Sequence, residues 1–100
     1  MPATVDIGTL IYKDPAMHSG RPCIAGTGTT VLAVDYLYKQ GLSPKQITEE
    51  LPLSLASVFA ALAYVTANRD EIDGYLREDE EAEQAWIEEK AARRQQAATG

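Results

Sequence analysis

A chain of 100 residues makes one domain with a modest core, and 45% hydrophobic with 24% charged residues is the composition of an ordinary globular protein. The net charge of −6 argues against a general affinity for nucleic acid. A single cysteine, Cys23, excludes an internal disulfide, and with no apolar run of membrane-spanning length and no signal-peptide pattern, a cytoplasmic protein without a membrane partner is expected.

Met1 to Gly8 has little pattern and is expected to fray. Thr9–Tyr12 is β-prone and is stopped by the turn residues Lys13-Asp14-Pro15; Arg21–Ala25 forms a second short strand after Ser19-Gly20. Two short strands make a marginal sheet, so the hairpin needs helices or a second subunit to cover it, a first reason to expect a homodimer. Gly26-Thr27-Gly28-Thr29-Thr30 connects to the first helix. Small residues before a helix can cradle an anion, but the Gly-Lys-Ser/Thr ending of a P-loop is absent and a plain turn is the stronger reading.

From Val31 to Gln40 the spacing of Val31, Val34, Leu37 and Tyr38 predicts one core-facing stripe, with Asp35 and Lys39 paired four apart on the solvent side. Gly41 suits the left-handed residue just past a helix end. Ser43 and Gln46 then form a capping box with Pro44 at the first helical position, and Leu42 faces Ile47 across it. Ile47 and Leu51 point inward, Glu49 and Glu50 outward, until Pro52 ends this short helix. Ser54 caps a third helix to about Ala67, predicted to bury Leu55, Val58, Phe59, Leu62 and Val65 or Thr66. Helix, glycine turn, short helix, sharp turn and helix together outline a helix-turn-helix unit.

Asn68-Arg69-Asp70 is a place for a break or a bend. Beyond it, Ile72, Tyr75 and Leu76 keep an apolar stripe despite Gly74, and a helix-prone segment follows that is poor in apolar residues. Trp86 and Ile87 form an apolar patch there with nothing nearby in sequence to cover it, which either folds back on the body or awaits a partner, and the last six residues are expected to be disordered. The charge is unevenly placed. Residues 1–69 hold five bases (Lys13, Arg21, Lys39, Lys45, Arg69) and five acids, whereas residues 70–100 hold ten acids and four bases.

Little in the chain points to catalysis. The sole histidine, His18, and Cys23 lack further ligands for zinc and lack an orienting third group for nucleophilic chemistry. The acidic cluster Glu78–Glu83 reads as a solvated face. No enzyme activity, cofactor, metal or small-molecule substrate is expected. DNA reading by the third helix is weakened because residues 46–68 contain no Lys or Arg. Its outward positions, taken as Ser54, Ala56, Ser57, Ala60, Ala61 and Tyr64, include no base-reading fork. Phosphate contacts would fall to Lys13, Arg21, Lys39 and Lys45.

Ser19-Gly20-Arg21-Pro22-Cys23-Ile24-Ala25-Gly26-Thr27, then Val31, Gly41-Leu42-Ser43, Leu51-Pro52 and Ala60-Ala61-Leu62-Ala63-Tyr64, resemble the bacterial family called domain of unknown function 433, from about Ile11 to Leu76. The resemblance implies a homeodomain-like helical core with a small N-terminal β element, commonly dimeric, in antitoxin-type proteins often encoded beside a toxin with a PIN-like nuclease fold. The chain departs from the family where Gly-Thr-Arg-Ile-Pro-Val is usual and Gly26-Thr27-Gly28-Thr29-Thr30-Val31 stands instead. Ala25 also stands where a basic residue is common.

The expectation is therefore a mainly α protein: a β-hairpin and three-helix helix-turn-helix core in residues 1–76, and an acidic helical tail in residues 77–100. Its expected role is an antitoxin-like binding module that neutralises a cognate toxin protein, with Ile72, Tyr75, Leu76, Trp86 and Ile87 as contacts. The alternative is a DNA-binding regulator of its own operator, using the four basic residues.

Overall fold

In the computed structural model, the backbone of residues 4–99 and the side chains of residues 4–95 are described. Among the described residues, four α-helices and one two-stranded hairpin make the fold mainly helical. Its internal contacts divide it into two compact units, Met1–Asn68 and Arg69–Gly100.

In the first unit, strand β1 (Ile11–Tyr12) pairs antiparallel with β2 (Cys23–Ile24), Ile11 opposite Ile24 and Tyr12 opposite Cys23. Before β1, Ile7–Thr9 forms a 3-10 turn because the Asp6 carboxylate accepts from the N–H of Gly8 at 2.9 Å. Order therefore begins earlier than the featureless sequence suggests, while Met1–Ala3 lie outside the described residues. Between the strands, His18, Ser19 and Gly20 all take positive φ, at 50°, 57° and 76°. After β2, Gly26 at φ +77° supplies the left-handed position of a tight turn, closed by Thr27 N–H donating to the Ile24 carbonyl at 3.2 Å. The Thr27 hydroxyl donates to that same carbonyl and accepts from the Thr29 N–H. These groups serve the turn itself, as the plain reading of the glycine loop expects.

Helix α1 (Val31–Lys39) ends in a Schellman motif: Leu42 N–H donates to the Leu37 carbonyl at 3.2 Å, Gly41 N–H to the Tyr38 carbonyl at 3.0 Å, and Gly41 sits at φ +97°. Helix α2 (Pro44–Glu50) begins with the expected capping box. Gln46 N–H donates to Ser43 Oγ at 3.2 Å, and Ser43 N–H donates to Gln46 Oε1 at 2.8 Å. Helix α3 (Leu55–Ala67) is capped by Ser54, which accepts from the Ser57 N–H at 3.1 Å. The chain turns by 113° between α2 and α3, within the range of a helix-turn-helix unit. α3 packs on α1 and α2 and touches β1, so it is the centre of this unit.

Two faces differ from the sequence expectation. α3 buries Ser57, Val58, Ala60, Ala61 and Val65, while Leu55 and Phe59 face solvent at 44% and 54% exposure. Small side chains fill the helix contact because interaxial distance is set by the residues at the crossing, and Ala and Ser allow close approach. Ser57, Ala60 and Ala61, expected outside, are therefore inside. In α1, Val31 and Val34 are buried as expected, but Tyr38 is half exposed, and Asp35 takes an inward place at 3% exposure. Lys39 reaches back to it, Nζ to Oδ2 at 3.1 Å, so this pair belongs to the edge of the core rather than the solvent side.

The second unit is helix α4 (Arg69–Thr99), 31 residues long and separated from α3 by Asn68 at φ −127°, ψ 44°. Of the break or bend expected at Asn68-Arg69-Asp70, the structure shows a break, at Asn68. At 1.5 Å per residue α4 extends about 46 Å. It continues to Thr99 instead of ending near residue 94, and Gly100 lies outside the described residues. Asp70 and Glu71 in its first turn suit the positive end of the helix dipole. Arg69–Asp73 and Arg93–Glu89 ion pairs and a Gln84–Glu88 hydrogen bond follow the four-residue step. These pairs add a few tenths of a kcal/mol each to a helix with little apolar content.

Candidate partner-binding and nucleic-acid interfaces

The five expected partner contacts all lie on α4, in three different environments. Ile72 is fully buried and offers no surface to a partner, whereas Tyr75 and Leu76 are half-buried. The Tyr75 hydroxyl donates to Glu71 Oε2 at 2.5 Å, one turn back. Trp86 and Ile87 are exposed at 59% and 46%. From residue 77 to 95 every side chain is exposed, so these two stand as the only large apolar groups on a charged rod. Lys90, Ala91 and Arg94 complete a shallow hollow of about 380 Å³ around them. The Lys90 ammonium lies 5.3 Å from the centroid of the Trp86 ring, within cation–π range.

The four basic residues proposed for nucleic acid are not gathered into one visible site. Lys13 borders a groove of about 550 Å³ between β1 and the second half of α3, and it is the only one of the four in that lining. Lys39 is engaged by Asp35. Arg21 is half-buried before β2, and Lys45 is exposed in the first turn of α2. α3 itself carries no charged residue, and its open face presents Leu55, Phe59 and Ala63. Such a face lacks the hydrogen-bonding forks that read base edges.

The groove beside β1 was not legible in the sequence, because Ile7, Ile11 and Tyr12 meet Ala60, Ala63 and Tyr64 across some fifty residues of chain. Its lining is mostly apolar, with Tyr12, Lys13 and Tyr64 as its titratable side chains. Cys23 is fully buried and donates from Sγ to the Arg21 carbonyl at 3.3 Å. Burial, assisted by the nearby Asp14 charge, pushes its thiol pKa up, the opposite of an activated nucleophile. Among the described residues, no group of three or more His, Cys, Asp or Glu side chains is placed to hold a metal ion. No single helix there is long and apolar enough to cross a membrane.

The family described as "Protein of unknown function (DUF433)" matches residues 11–65, more than half of the chain and all of it within the first unit. No curated protein and no solved structure matches the chain.

Proposed function

The chain belongs to the DUF433 family, and from that premise we propose that it is an antitoxin-like binding module, acting in the cytoplasm, whose acidic C-terminal helix captures and neutralises a nuclease toxin. One observation carries the reading: α4 holds ten acids, with Trp86 and Ile87 exposed on it. A nuclease must present a cationic cleft to its substrate's phosphates. An anionic helix can enter the same cleft, with its acids steering the approach and the aromatic anchor supplying most of the binding energy once desolvated. The family resemblance supports a toxin with a PIN-like fold as the partner. The family match covers residues 11–65, so the proposed capture helix lies C-terminal to the matched segment.

The test is affinity purification of the full chain and of a version ending at Asn68 from the native cell. Recovery of a stoichiometric small protein with the full chain alone supports capture by α4, and equal recovery with both versions contradicts it.

A second reading, an operator-binding regulator, is favoured by the 113° turn between α2 and α3. It requires contacts from Lys13, Arg21 and Lys45 rather than from α3. Replacing Arg21 and Lys45 by Ala should then weaken operator binding and flatten its salt dependence by about one unit of slope per lost phosphate contact.

A further inference from the structure

Along α4, residues 79, 83, 86, 87, 90 and 94 follow the three- and four-residue steps that share one helix face, and all six are exposed. They read Asp79, Glu83, Trp86, Ile87, Lys90 and Arg94. The face is ordered, with two acids on the N-terminal side, the apolar pair at the centre and two cations on the C-terminal side. Its net charge is zero, on a helix with ten acids against five bases. The order is also symmetric about the point between Trp86 and Ile87. Asp79 and Arg94 stand equally far from that point in opposite directions, as do Glu83 and Lys90.

A face with this arrangement is complementary to itself when reversed. We propose that α4 pairs antiparallel with α4 of a second copy of this chain, centred between Trp86 and Ile87. At that register Glu83 lies level with Lys90 of the second copy and Asp79 level with Arg94 of the second copy, and both relations occur twice by symmetry. The two Trp86 and two Ile87 side chains meet at the centre and leave water. A parallel pairing in register would set Asp79, Glu83, Lys90 and Arg94 each against its own like charge, so charge selects the antiparallel arrangement. The paired stretch from 79 to 94 spans about 22 Å. Glu78, Glu81 and Glu88 fall away from this face, so the pair keeps an anionic outer surface.

This inference stands apart from the antitoxin reading, because it needs no partner protein and states what covers Trp86 and Ile87 when none is present. A toxin that used those anchors would compete with the second copy for them.

The full-length protein tests it directly. A mixture of ¹⁴N- and ¹⁵N-labelled chains is treated with a carbodiimide, which joins only a carboxylate and an amine in contact, and cross-linked peptides are read by mass spectrometry. The pairing predicts a mixed-isotope amide between Glu83 and Lys90. Lys90→Glu should weaken α4 pairing about tenfold by opposing two glutamates in each half, and adding Glu83→Lys should restore it, since the swap rebuilds the same ion pairs reversed. Trp86→Ala should abolish the pairing. Mixed-isotope links from Lys90 to Glu88 or Glu89 would show parallel helices and overturn the proposal. Absence of mixed-isotope links from Lys90 in a chain whose α4 is helical by circular dichroism would overturn it too, whether or not a toxin is captured.

Discussion

Residues 4–68 and helix α4 are held by different physics. In the first unit, Cys23, Ile24, Val31, Val34, Ile47, Val58, Ala61 and Val65 have essentially no exposed surface, and the α1 end and the α2 and α3 starts each carry a specific cap. In α4, from residue 77 to 95 no side chain is buried, and the visible stabilisation is local: ion pairs and hydrogen bonds one turn apart, worth a few tenths of a kcal/mol each. Of the large apolar groups of α4, Ile72 is buried, whereas Trp86 and Ile87 are exposed. The comparison teaches that the family-matched part of this chain is built around a buried core, whereas residues 77–95 of α4 leave their side chains exposed.

Mutations can sharpen that contrast. Ile47→Ala removes a fully buried side chain beneath α2 and should lower the unfolding free energy by about 2–4 kcal/mol in urea denaturation. Trp86→Ala deletes a far larger side chain, yet should leave the main unfolding transition of monomeric protein within about 0.5 kcal/mol. A large loss at Trp86 would break the distinction between the two regions. Ser43→Ala and Ser54→Ala should each cost about 1 kcal/mol, because each hydroxyl satisfies a helix N–H.

The smallest effect concerns Cys23, whose thiol pKa is raised on folding by burial first and by Asp14 second. The folded protein then holds the proton more tightly than the unfolded chain. Stability is complete below the thiol's ordinary range and declines as pH rises through that range towards the folded value. Urea midpoints between pH 8 and 10 should fall more for the native sequence than for Cys23→Ala. The folded thiol should also resist thiol reagents until the chain unfolds.

Much of this architecture was legible in the sequence where a single residue has a single physical role. Gly41, the Ser43–Gln46 box, Pro52 and Ser54 mark boundaries that the structure repeats. Facing was harder. Hydrophobicity places Leu55 and Phe59 inside, but the α1–α3 contact selects small residues, so Ser57, Ala60 and Ala61 take the interior. Asp35 likewise enters the edge of the core because Lys39, one turn away, compensates its charge. Sequence alone left Trp86 and Ile87 either folded back on the body or open to a partner, and they are exposed; Ile72, in the stripe with Tyr75 and Leu76, is buried. Periodicity identifies a stripe; it does not say which of its residues remain open.

The most direct measurement is the affinity of the partner recovered with the full chain for that chain and for its Trp86→Ala, Ile87→Ala variant, by titration calorimetry. Capture through α4 predicts a loss of at least about a hundredfold, the scale of a central anchor, with the first unit's unfolding transition unchanged. Undiminished affinity in the double variant would contradict the assignment of recognition to this helix.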